Sequence, residues 1–150
     1  MPVVLDASAF LAYNLGEPGA DVVAAALQEG AAISAVNLVE VLTYVTLRRP
    51  DVAAKLAVQV DRGTDPTVIT SLGRRGGPLL PPWLAVEPFT RADAVRAAAL
   101  VPHTRAQGLS LGDRACLALA RRLGWAVLTA DRQWSQLDAA AIGVEVRPIR

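Results

Sequence analysis

The chain has 150 residues, 53% of them hydrophobic, with a formal net charge of +1. That length suits one domain with a real core, and no apolar run approaches the ~18–20 residues needed to span a bilayer. One Cys excludes an internal disulfide framework, and the lack of a basic segment followed by an apolar stretch at the N-terminus argues against a secretory leader, so a reduced, cytoplasmic protein is expected.

Val3–Asp6 reads as a short buried strand and Ser8–Asn14 as a helical turn or two. Glu17–Glu29 reads as a helix with Pro18 at an early position, stopped by Gly30. Ala31–Ser34 is a second strand. Asn37–Arg49 is an apolar helix, ended by Pro50 and expected to be largely buried. Asp51–Asp61 reads as another helix. Residues 62–82 then break the pattern with an irregular Gly/Pro/Arg-rich insertion, too long for a plain connection.

Leu84–Glu87 is a third strand, and Thr90–Gln107 a helix opened by a Thr90/Asp93 capping box and closed by Gly108. Pro102 is expected to kink or restart it. Ser110–Leu123 is helical up to Gly124, Ala126–Thr129 is a fourth strand, Asp131–Leu137 a short helix and Val144–Val146 a terminal strand. Strands alternating with helices predict an α/β fold of three layers, a mostly parallel, short-stranded sheet flanked by helices. Ligands in such folds gather outside the carboxyl ends of the strands.

Four acids stand where a strand hands over to a helix or where a helix begins: Asp6, Glu40, Asp113 and Asp131. Taken singly, Asp6 and Asp131 suit helix caps, and Ser110-Leu111-Gly112-Asp113 suits a capping box. Glu40 differs, because its helix neighbours Val36, Asn37, Thr43 and Tyr44 offer no counter-charge. Carboxylates that converged would repel and be held partly protonated, and a divalent cation removes that penalty. With one His and one Cys in the chain, zinc is disfavoured and Mg²⁺ or Mn²⁺ suits the oxygen donors.

Of the 15 cationic residues, Lys55 is the sole lysine, and arginine suits bidentate phosphate binding. Arg114 and Arg132 directly follow acids of this set and suit either phosphate contact or balancing of the acids, and Arg74 and Arg75 in the insertion are further candidates for phosphate contact. His103 reads as a surface residue, Asp93 as a cap, Trp134 as a packing residue, and Trp83 and Trp125 as core or rim residues beside strands.

Val4-Leu5-Asp6-Ala7-Ser8-Ala9, Ile33-Ser34-Ala35-Val36-Asn37-Leu38-Val39-Glu40-Val41, Leu109-Ser110-Leu111-Gly112-Asp113-Arg114-Ala115-Cys116 and Val127-Leu128-Thr129-Ala130-Asp131-Arg132 together resemble the PIN-domain nucleases. More narrowly they resemble VapC, the toxin of VapBC toxin–antitoxin modules, and the likeness runs along the chain except for residues 62–82. The resemblance implies a single PIN domain over residues 1–150 and a metal-dependent endoribonuclease. It implies that Asp6, Glu40, Asp113 and Asp131 form the acidic pocket that holds Mg²⁺ or Mn²⁺, with Ser8, Asn37 and Thr129 supporting the metal shell. It also implies a homodimer, neutralised by a VapB-like antitoxin whose C-terminal segment wraps the toxin. Two other classes stay open: an RNA-processing or non-catalytic binding PIN module, and a phospho-acceptor receiver domain. The receiver chemistry would want a lysine at a strand end, whereas Lys55 falls in a predicted helix.

Overall fold

The computed structural model describes residues 1–51, 54, 81 and 83–150. Most of the predicted helix at Asp51–Asp61 and nearly all of the insertion at 62–82, with Arg74 and Arg75, lie outside the described residues. The described strands are β1 (Val3–Leu5), β2 (Ala31–Ser34), β3 (Leu84–Glu87), β4 (Ala126–Thr129) and β5 (Val146–Pro148). They form one sheet in the order β3-β2-β1-β4-β5, and every pairing is parallel. The helices are α1 (Ala7–Leu15), α2 (Ala20–Glu29), α3 (Ala35–Arg48), α4 (Arg91–Ala99), α5 (Val101–Thr104), α6 (Leu111–Leu123) and α7 (Ala139–Ile142).

The central strands β1, β2 and β4 are buried on both faces and read as nearly unbroken apolar runs, while the edge strands β3 and β5 are partly exposed. Alternation along each strand divides its side chains between two cores. Val3, Leu5 and Ile33 join Phe10, Val23, Leu27 and Val41 on one side. Val4, Ala32 and Val127 join Leu100, Cys116, Leu117, Trp134 and Ile142 on the other. The chain adds strands to one side of β1 through β3, then crosses back to lay β4 on its other side. The direction of winding therefore reverses between β1 and β4, and the carboxyl ends of those two strands are where ligands of such folds gather.

Several boundaries differ from the sequence reading, each for a physical reason. The second helix begins at Ala20, not Glu17, because Gly19 takes φ +90° and packs flat against Ile149, where a Cβ would stand 2.6 Å from the carbonyl oxygen. The third begins at Ala35, since the Ser34 hydroxyl accepts from Val36 N–H and caps it two residues earlier. Thr90–Gln107 is not one helix. The Thr90/Asp93 capping box opens α4 as expected, but that helix ends at Ala99, and the one-turn α5 with Pro102 near its start leads into a 3₁₀ turn at Arg105–Gln107. Asp131–Leu137 tightens to a 3₁₀ segment, Arg132–Gln136. The last strand is Val146–Pro148 rather than Val144–Val146: Val144 turns into the second core, and pairing with β4 begins at Val146 opposite Val127. Finally, α3 is not largely buried: Asn37 and Val41 are its buried residues, while Val39 and Leu47 are 62% and 76% exposed.

Candidate active site

Asp6 follows β1 directly and is 3% exposed. It caps α1, as its residue type invites, but the cap is one part of a denser arrangement. Three donors converge on Oδ2: Ser8 N–H at 3.3 Å, the Ser8 hydroxyl, and the Thr129 hydroxyl at 3.1 Å. Oδ1 receives none of these three. Ser8 Oγ in turn accepts from Ala130 N–H at 3.0 Å, and Thr129 Oγ1 accepts from Asp131 N–H at 3.1 Å. The two hydroxyls thus tie the end of β1 to the end of β4 and fix the orientation of the Asp6 carboxyl. Capping and presentation of a free carboxylate oxygen are the same geometry here.

Glu40 reaches the site from α3. Asn37, fully buried one turn earlier, donates through Nδ2 to Glu40 Oε2 at 3.0 Å and to the Gly112 carbonyl at 3.0 Å. One amide nitrogen therefore joins α3 to the first turn of α6, 75 residues away in sequence. The Glu40 carboxyl lies against the backbone of Gly112: a Cβ built there would stand 2.2 Å from Oε1. Asp113 follows in the same turn, where its Oδ2 accepts from Ser110 N–H at 2.6 Å and Ser110 Oγ accepts from Asp113 N–H.

Burial raises the Asp6 pKa above its ordinary value, partly offset by the Ser8 and Thr129 bonds, and Asp113 raises it further. Glu40 is raised chiefly by burial, against the Asn37 bond, with Asp6 and Asp113 adding to the rise. Cys116 lies one turn into α6, fully buried, and its thiol is pushed well up by burial and by the fields of Asp6, Asp113 and Glu40. Three carboxyls from three distant segments thus share one electrostatic neighbourhood. Asp131 enters it through its backbone N–H on Thr129, while its own Oδ1 accepts from Gln133 N–H at 2.9 Å and its side chain faces solvent.

A hard divalent cation fits the chemistry of this donor set: oxygen ligands only, with each carboxyl disfavouring ionisation of the next. Among the described residues, no three carboxyl, imidazole or thiol groups already stand close enough to enclose an ion. The two arginines beside the acids are engaged otherwise. Arg114 turns back to donate to the Leu109 carbonyl at 2.8 Å, and Arg132 donates to the carbonyl of Arg150.

Known structures share this fold over nearly the whole chain. The chain aligns over 99% of its length with 98% of a chain in the VapBC2 complex of Rickettsia felis bound to promoter DNA, at TM-score 0.62 and 13% identity. It aligns over 97% of its length with 96% of a chain from Neisseria gonorrhoeae FitAcB, at TM-score 0.58 and 20% identity. A third likeness, at TM-score 0.58 and 17% identity, covers 89% of this chain and 92% of Mycobacterium tuberculosis VapC20, a toxin that cleaves the sarcin–ricin loop. The PIN domain family model matches residues 78–140.

The fold is that of a PIN domain. No curated protein matches the sequence. Within this PIN fold, the acids read from sequence fall at the carboxyl edge of the sheet. Gly112 is the residue that sequence reasoning missed. Its signal was a glycine inside the first turn of a helix, where alanine is the better helix former. His103 is exposed, Trp134 is buried in the second core, and Trp83 is 54% exposed. Asp93 is a cap as expected and also a buried ion-pair centre, meeting Arg122 at 3.3 Å and Arg96 at 3.2 Å. Among the described residues, no helix is long and apolar enough to cross a membrane.

Proposed function

We propose that this PIN domain is a VapC-type endoribonuclease, the toxin of a toxin–antitoxin pair, hydrolysing RNA phosphodiesters with Mg²⁺ or Mn²⁺. The observation that carries the reading is the convergence of Asp6, Glu40 and Asp113 at the winding reversal of a PIN fold, with Asp6 held by two hydroxyls so that one carboxylate oxygen stays uncommitted. Asp6, Glu40 and Asp113 would hold the ion, and Asp131, at the rim, completes the acidic set by turning its carboxyl inward. When bound, a divalent ion lowers the pKa of water and stabilises charge on a phosphoryl oxygen.

The protein's own contribution is placement. Ser8 and Thr129 fix the rotamer of Asp6, Asn37 fixes Glu40 against α6, and the capping box fixes Asp113. A VapB-like antitoxin is the proposed partner, supported by the toxin–antitoxin complexes among the structural neighbours, and a homodimer is the proposed assembly. Arg74 and Arg75 stay candidates for phosphate contact from the insertion.

The test is cleavage of total RNA by the purified protein with manganese, with EDTA, and with Asp6→Asn. Manganese-dependent cleavage that EDTA and Asp6→Asn both abolish supports the reading. A folded Asp6→Asn protein of undiminished activity refutes the site. RNA binding without any cleavage by the wild type would leave a non-catalytic PIN module instead.

A further inference from the structure

A groove of 510 Å³ runs between α3 and the start of α6, with Val36 and Val39 on one wall, Ser110 and Leu111 on the other, and Glu40 and Gly112 at its inner end. Val36, Val39 and Glu40 share one face of α3 by helical spacing. Val39 is 62% exposed and Leu111 is 60% exposed, so two large aliphatic side chains line this groove with much of their surface in water. The lining is almost wholly apolar, and the hydroxyl of Ser110 is already engaged with Asp113 N–H. The groove adjoins the acidic site, since Glu40 lines it and carries its carboxyl against Gly112.

We infer that this groove seats the nucleobase next to the scissile phosphate, an inference that rests on the ribonuclease reading above. A phosphodiester that reaches Asp6, Glu40 and Asp113 must lay one of its neighbouring nucleosides along an adjoining surface. The anionic backbone is repelled by the carboxyls unless a cation intervenes, whereas the flat face of a base carries no charge. An open, shallow groove lined by Val39 and Leu111 offers that face apolar contact. It offers few polar groups to read the base edge, so the groove holds a base without strongly choosing among the four. Val39 and Leu111 are then residues that set substrate affinity at one position beside the cut, distinct from the acids that set the chemistry.

The test uses an RNA oligonucleotide spanning a cut site mapped in total RNA, and matched oligonucleotides with an abasic ribose on either side of the scissile phosphate. For wild type, the abasic change at one of the two positions should lower kcat/KM about five- to tenfold, the value of covering most of one exposed aliphatic side chain. Val39→Ser combined with Leu111→Ser should lower kcat/KM on the intact oligonucleotide by a similar factor, with little further loss when the base is removed. Both positions are exposed, so the fold should be unchanged. The same pattern should appear in equilibrium binding of these oligonucleotides to the Asp6→Asn protein, where no cleavage contributes. Equal abasic losses in wild type and the double variant would overturn the inference while leaving the ribonuclease reading intact. So would a double variant that cleaves normally but escapes inhibition by an antitoxin, which would give the groove to a protein segment. Absence of any manganese-dependent cleavage by the wild type would overturn the ribonuclease reading itself, and this inference with it.

Discussion

Replacing Gly112 with Ala separates the site from the fold more sharply than removing any of the acids. The new Cβ would stand 2.2 Å from Glu40 Oε1, 2.6 Å from Cδ and 2.7 Å from Oε2, and ordinary contact begins at 3.4 Å. Moving Oε1 from 2.2 to 3.4 Å is a retreat of about 1.2 Å. The backbone at Gly112 is helical and Ala is the better helix former by up to about 1 kcal/mol. Swinging Glu40 aside forfeits the Asn37 bond, a charged one of about 1.5–3 kcal/mol, but returns a half-buried carboxylate to water. These terms oppose one another, so stability should move by no more than about 1 kcal/mol. Displacement of a catalytic group by 1 Å costs about 100-fold in rate. The expected result is a normally folded protein, by circular dichroism and thermal melting, whose manganese-dependent RNA cleavage falls about 100-fold. A folded Gly112→Ala protein with wild-type kcat would show that Glu40 has no part in the reaction and would refute the site as drawn.

Other outcomes follow from the same geometry. Asp6 and Glu40 have folded-state pKa values above the ordinary 3.8 and 4.5, so the folded state binds their protons more tightly than the unfolded one. The metal-free protein should therefore lose stability as pH rises from about 4 through those raised values. Asp6→Asn removes the Asp6 share of this, so its melting temperature in EDTA should exceed wild type by a margin that grows with pH. Parallel melting curves from pH 4 to 8 would contradict the burial argument. Manganese should stabilise the wild type against heat and leave Asp6→Asn nearly unmoved, as read by calorimetric binding and melting. Asp93→Ala removes an α4 cap and the buried carboxylate shared by Arg96 and Arg122, leaving Arg122 with Glu87 at 3.2 Å. It should cost about 3 kcal/mol in urea unfolding while kcat of the folded protein is unchanged.

The strands, the capping boxes and most helix ends are legible in the sequence because those features are local. A capping box needs residues three apart, and Gly108 and Gly124 end their segments by taking a left-handed backbone. The same locality explains the misplaced ends. Gly19 bends to meet Ile149, and nothing within residues 17–29 announces a partner 130 positions away. The broken helix after Ala99 and the late start of β5 likewise depend on tertiary packing, with Val144 entering the second core.

The chain by itself determined that carboxyls sit at strand ends and helix starts, because a side chain's place on its own element follows from a few neighbouring residues. Only the tertiary structure decided which of them meet. The order β3-β2-β1-β4-β5 sets β1 beside β4, which lets Ser8 and Thr129 close on a single Asp6 oxygen and lets Asn37 bridge Glu40 to Gly112. It also left Val39 and Leu111 in water beside the acids. Convergence of that kind depends on long-range packing, and no window of sequence contains it.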